Sequence, residues 1–176
     1  NAGRYTLFAP IQHPLVARKV LALTIFSCDE INVRVVTGDI GGSFGIKANI
    51  YPEYVLALWA STRTARPVRW ISERAEGHCS DFHGRDNVSN AELALDADGR
   101  FLGFRLRTVV NLGGYLSPLA TNNLGTLAGV YTTPAFHVEV IDAITDTHPT
   151  APYRGAGRPE AGYVIERMID LAAVEL

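Results

Sequence analysis

The chain has 176 residues, 47% of them hydrophobic, with 16 Lys and Arg against 18 Asp and Glu and a formal net charge of -2. That supplies apolar material for one good core, and the near-neutral balance excludes the strong charge of a nucleic-acid or anionic-membrane binder. No apolar stretch approaches the roughly 20 residues of a membrane span, and Asn1-Ala2-Gly3-Arg4 lacks the pattern of a secretory signal.

"RYTLFAP" reads as a short strand closed by Pro10. "HPLVARKVLALTIF" predicts a helix, with Pro14 in the first turn and a buried face of Leu15, Val16, Val20, Leu21 and Leu23. "NVRVVTGD" alternates like a strand and leads into a glycine-rich turn. "PEYVLALWASTRTA" predicts a largely buried helix with Pro52 and Glu53 at its start. "RPVRWIS" alternates as a strand. Residues 87–111 predict a hairpin around Asp98-Gly99, with a bulge near Gly103. "NLGGYLSPLATNNLGTLAG" reads as loop or broken helix, and "FHVEVIDAITD" as a further strand. "EAGYVIERMIDLAAVEL" predicts an amphipathic helix with Tyr163, Val164, Met168 and Leu171 on one side. The fold class expected is α+β, a mixed sheet with packed helices.

Two cysteines, Cys28 and Cys79, sit outside any CxxC motif and are expected as reduced thiols, with a disulfide as the alternative. "HCSDFH" gathers His78, Cys79, Asp81 and His83. No second cluster completes a four-ligand site, so a polar loop is expected there and no metal is held directly by side chains.

Two glycine loops carry the chemistry. Gly41-Gly42-Ser43-Phe44-Gly45 matches neither the dinucleotide fingerprint nor a phosphate loop, because Lys47 comes too early and no hydroxyl follows it. It offers a string of backbone N–H groups interrupted by one aromatic, suited to a negatively charged oxygen. The alternative is a tight strand-to-helix turn with Phe44 tucked into the core. Tyr153-Arg154-Gly155-Ala156-Gly157-Arg158 places a guanidinium beside glycines just before a helix. Such a group can clamp an anion bidentately; the alternative is a surface Arg in a flexible loop. Both loops are expected to precede helices, whose N-termini favour anions.

Four segments in order, "VRVVTGDIGGSFGIKANIYPE", "RPVRWISERAE" with "HGRD", "LDADGRFLGFRLRTVVNLGGY" and "APYRGAGRPEAGYVIERMID", resemble the molybdenum-binding large subunit of the xanthine dehydrogenase, aldehyde oxidase and carbon monoxide dehydrogenase family. The resemblance covers essentially the whole chain. It implies a molybdopterin cofactor, in its cytosine dinucleotide form, that carries the molybdenum. It implies that Gly41, Gly42, Ser43, Phe44 and Gly45 bind the cofactor, with backbone contacts from Phe44 and Gly45 near an oxo ligand. Arg154 is then both a cofactor contact and the catalytic cation at the substrate end. The implied reaction is oxidative hydroxylation with water-derived oxygen, electrons leaving to 2Fe-2S and FAD groups on partner subunits or domains.

Three positions of the implied substrate pocket depart from particular relatives. Gly155 stands where carbon monoxide dehydrogenases carry a copper-holding Cys. Ala156 stands where purine oxidisers carry an aromatic, and Ala48 where they carry a Glu. An aldehyde or N-heterocycle is therefore implied rather than carbon monoxide or xanthine. The family's catalytic Glu lies in a Gly-rich segment that matches none of Glu160, Glu166 and Glu175, so residues 1–176 are expected to be a single fragment of the large subunit, inactive alone. Partners implied are the remainder of that subunit, iron–sulfur and flavin subunits and a small-molecule substrate. The expected compartment is the cytoplasm, with the periplasm used by some members. A catalytically inactive structural relative and a simple anion-binding module are the alternatives.

Overall fold

The structure is a computed structural model that describes residues 3–117 and 127–176. It divides into two compact units, Asn1–Asp81 and Phe82–Leu176. Helices accompany a mixed sheet, as the α+β expectation requires.

In the first unit, β1 (Tyr5–Phe8) lies parallel to β2 (Val33–Val36), with Tyr5 opposite Val33 and Phe8 opposite Val36. Parallel neighbours need a long crossover. Here it is α1 (Pro14–Lys19), which opens on Pro14 and continues as a π-helical turn, Val20–Ile25. The buried face is Ala17, Leu21 and Ala22, packed with Leu7, Ile11, Val33 and Leu58. The predicted face is corrected: Leu15, Val16 and Leu23 are exposed. A π turn bonds residues five apart, as Phe26 N–H does to the Leu21 carbonyl at 2.9 Å. That aligns Ala17 with Ala22, a spacing a 3.6-residue period misses.

α2 (Pro52–Thr64) begins and ends close to its predicted bounds. It buries only Leu58, however, and leaves Leu56 and Trp59 exposed. The "RPVRWIS" segment joins no ladder among the described residues, which corrects the strand reading. Alternation marks a strand's faces but does not supply its neighbour. α3 (Arg74–Ser80) follows and takes His78 and Cys79 out of the expected loop. Its capping box uses Glu73 and Glu76. An acid at the cap in place of Ser or Thr hides the usual start signal. Both cysteines are free thiols.

In the second unit, β3 (Asn87–Leu95), β4 (Phe101–Gly113) and β5 (Phe136–Ile144) form a sheet in that order. β3 and β4 are antiparallel, while β4 and β5 are parallel. The hairpin turn is fixed by Asp96, whose Oδ1 accepts from the N–H of Asp98 at 3.0 Å and of Arg100 at 2.8 Å. Gly99 supplies the positive φ of 78° that the turn needs. Ala94 faces Gly103 and Leu95 faces Phe101, so the predicted bulge falls on Leu102. β4 runs on to Gly113, into the stretch read as loop, and residues 118–126 of that stretch lie outside the described residues.

α4 (Arg158–Glu175) covers one face of this sheet. It seats Ala161 and Ile165 against Phe104, Leu106 and Leu127. The predicted helix face is offset: Tyr163 and Leu171 are exposed, while Val164 and Met168 pack at the edge. A small residue, Ala161, sits at the contact, where it lets the helix approach closely. No helix among the described residues is long and apolar enough to cross a membrane.

Candidate cofactor-binding loops

Beyond the carboxyl ends of β1 and β2, the chain folds Gln12 and the first glycine loop together. Parallel sheets place ligand sites at such ends. Gly42, Phe44 and Gly45 adopt φ of 91°, 54° and 104°. A Cβ on Gly42 would stand 2.7 Å from the Phe44 ring, which folds back over it. Phe44 is 54% exposed, so the alternative of a core-buried Phe44 is overturned.

The loop is polarised. Four carbonyls of the loop and the turn after it are bonded: Gly42 accepts from Lys47 Nζ at 2.7 Å, Gly45 from Ala48 N–H at 3.0 Å, Ile46 from the Tyr51 hydroxyl at 3.2 Å and Lys47 from Gln12 N–H at 2.9 Å. The N–H groups of Gly41 to Gly45 find no acceptor among the described residues. The result is a run of unpaired donors in a turn tethered at Gly42 and Gly45. Ala48 closes a 3-10 turn, Ile46–Ala48. That short turn, and not α2 itself, is what the loop precedes.

Gln12 was not singled out from sequence. Its side-chain oxygen accepts from the Ser43 hydroxyl, which fixes the amide beside the loop. Its place just past β1 is the signal that marks it.

The second loop lies in the other unit. Gly155, Ala156 and Gly157 all take left-handed backbone, with φ of 100°, 46° and 89°. A Cβ on Gly155 would stand 2.6 Å from Pro159 Cδ. The turn is closed by Ala156 N–H donating to the Tyr153 carbonyl at 2.8 Å and Arg158 N–H donating to the Gly155 carbonyl at 3.2 Å. It leads directly into α4. The Arg154 guanidinium is exposed and engages no described residue. The Gly155 N–H likewise finds no acceptor among the described residues.

The predicted residues thus fall into two groups. Gly41, Gly42, Ser43, Phe44, Gly45 and Ala48 lie in the first unit, and Arg154, Gly155 and Ala156 in the second. Among the described residues no three His, Cys, Asp or Glu side chains gather in a metal-binding arrangement. Both loops offer hydrogen-bond donors and a cation with no competing carboxylate in the turn. That donor set fits an anionic, oxygen-rich cofactor held by backbone N–H groups.

Comparison with known proteins gives the family. The chain belongs to the molybdopterin cofactor-binding domain family, which it matches across residues 1–176. It is 37% identical over 163 residues to the gamma subunit of the 6-hydroxypseudooxynicotine dehydrogenase complex of Paenarthrobacter nicotinovorans, covering 90% of this chain and 20% of that protein. It is 35% identical over 181 residues to the carbon monoxide dehydrogenase large chain of Hydrogenophaga pseudoflava, covering 99% of this chain and 22% of that one. The crystal structure of quinoline 2-oxidoreductase from Pseudomonas putida 86 superposes with a TM-score of 0.93 at 32% identity, over 98% of this chain and 23% of that one. The chain therefore spans about a fifth of the length of the relatives it matches.

Proposed function

We propose that this chain forms part of the cofactor cradle of a molybdenum hydroxylase, an oxidoreductase that hydroxylates an aldehyde or an N-heterocycle with oxygen taken from water. The observation that carries this reading is the run of unpaired N–H donors at Gly41 to Gly45, in a turn whose Gly42 and Gly45 carbonyls are already bonded within the loop. When bound, the molybdenum–molybdopterin group, in its cytosine dinucleotide form, supplies the redox centre.

The chain's own residues bind and orient. The N–H groups at Phe44 and Gly45 donate to negatively charged oxygen without reorganising, because their turn is already folded. Ser43 holds the Gln12 amide beside them. Arg154 brings a cation to charge that develops on the substrate. Ala48 beside the first loop, and Gly155 and Ala156 in the second, each present no bulk to a substrate. The general base is supplied by another part of the large subunit, residues 1–176 being one piece of it. Electrons pass to 2Fe-2S and FAD partners, and the compartment is the cytoplasm. The relative named for quinoline supports a nitrogen heterocycle as substrate.

The test is co-expression with the genomic neighbours in a molybdenum-replete host, followed by elemental analysis for molybdenum and fluorescence for pterin. Molybdenum and pterin in equal amounts support the reading. A well-folded complex that lacks both overturns it.

A further inference from the structure

Arg85 lies outside both glycine loops, yet it holds the second one. It sits in left-handed backbone at φ 60°, which is costly for a residue with a side chain and tends to persist where surroundings enforce it. Its Nη2 donates to the Arg154 carbonyl. Its guanidinium lies 4.8 Å from the centre of the Tyr153 ring. Its Nε stands 3.7 Å from Glu160 Oε1, in the first turn of α4. The other carboxylate oxygen, Oε2, is buried without a hydrogen bond. One cation thus ties a loop carbonyl, an aromatic face and a partly buried carboxylate.

The backbone keeps Arg85 there. His83 and Thr150 form a bridge, with His83 N–H donating to the Pro149 carbonyl at 3.2 Å and Ala151 N–H donating to the His83 carbonyl at 2.8 Å. Gly84 comes so close that a Cβ there would stand 2.6 Å from Tyr153 Cβ. The segment before β3 is therefore laid along the segment that carries Arg154.

We infer that Arg85 is a positioning residue for Arg154, pinning the peptide between Arg154 and Gly155 so that the Arg154 side chain and the Gly155 N–H are presented together. The peptide is trans, so its carbonyl and N–H point in opposite directions. Holding the carbonyl fixes the N–H on the opposite side. Lys cannot replace Arg fully, because only the planar fork reaches the carbonyl and the carboxylate while stacking on a ring. The inference rests on the reading of Arg154 as an active-site cation.

The test uses the complete large subunit with its partner subunits and compares Arg85→Met, Arg85→Lys, Arg154→Ala and the Arg85→Met/Arg154→Ala double variant. Misplacement of a positioned group by about 1 Å costs on the order of 10²-fold. Arg85→Met is expected to lower kcat about tenfold to a hundredfold with KM and molybdenum content nearly unchanged, and Arg85→Lys to fall between it and the wild type. In the Arg154→Ala background, Arg85→Met should add less than about twofold, since coupled residues are not additive. Losses that multiply would overturn the inference. Hydrogen exchange gives a readout independent of turnover: Arg85→Met should speed the amides of Ala156 and Arg158, whose N–H groups close the turn, about tenfold and leave β4 unchanged. Equal acceleration in β4 would show a general loss of structure and sink the proposal. If Arg85→Met does not fold, Arg85→Lys is decided by the same exchange pattern. An Arg154→Ala enzyme with full turnover would instead overturn the active-site reading, and exchange alone would then decide whether Arg85 holds the loop.

Discussion

Lys47 Nζ donates to the Gly42 carbonyl at 2.7 Å, across the glycine loop that both residues belong to. In a phosphate loop the lysine reaches for the ligand. Here it bonds a carbonyl of its own loop, which removes one acceptor from the turn and ties the turn's two ends together. Lys47→Met should therefore loosen the loop. A hydrogen bond to a charged donor contributes about 1.5–3 kcal/mol, and this one is only partly buried, so a loss of about 1–2 kcal/mol is expected. Thermal unfolding measures it, with faster amide exchange expected at Ala48 and Gln12, whose N–H groups donate to the Gly45 and Lys47 carbonyls. An unchanged melting curve and exchange pattern would mean that the lysine does not hold the loop.

Gly45 should not tolerate a side chain. Its φ of 104° is a conformation that L residues rarely adopt, and strain of this kind costs about 1–3 kcal/mol. Gly45→Val adds a branched side chain among the unpaired donors. Pterin content per complex should fall several-fold. Gly99 is the matched control, since its φ of 78° lies in the β3–β4 turn. Gly99→Val should lower stability and leave the pterin content per folded complex intact. Equal cofactor content in both variants would remove Gly45 from the cradle.

Arg154 is exposed and makes no contact that the fold depends on, so Arg154→Ala should leave the melting temperature within about a degree. Turnover should fall about 10²–10³-fold, the effect of deleting one preorganised charge-stabilising donor. Steady-state kinetics of the loaded complex checks it. An unaltered rate would take Arg154 out of the reaction.

The glycine loops were legible in the sequence because they break the local rules. Glycines flank a lone Phe44, and Arg154 stands among glycines before a helix. What periodicity could not show was which face each helix buries. In α1 and α4 the contact is made by Ala17, Ala22 and Ala161, small residues that an apolar-face count passes over. The π turn then moved the α1 face by a spacing outside the usual period. The "RPVRWIS" segment failed as a strand because alternation specifies two faces and no partner. Gln12 and Arg85 were invisible for another reason. Each acts through a contact distant in sequence, Gln12 with Ser43 and Arg85 with Arg154. No local pattern encodes such a pair.

Tyr54 gives the fold an alkaline limit. Burial, and then the charges of Glu53 and Asp81, push its phenol up from 10.0 to about 12. The folded chain thus favours the neutral form more than the unfolded chain does. The sign follows from linkage. Below about pH 10 the phenol is neutral in both states, and its contribution is fully present. As pH rises from about 10 towards 12, the unfolded chain ionises first and stability is lost. Tyr54→Phe cannot ionise, so its stability should decline less steeply across that window. Urea unfolding at stepped pH compares the two slopes, and a difference ultraviolet titration locates the phenol directly. Parallel slopes for the two proteins would show that Tyr54 titrates as an ordinary surface tyrosine, and that the packing of α2 around it is looser than its position beside Leu58 requires.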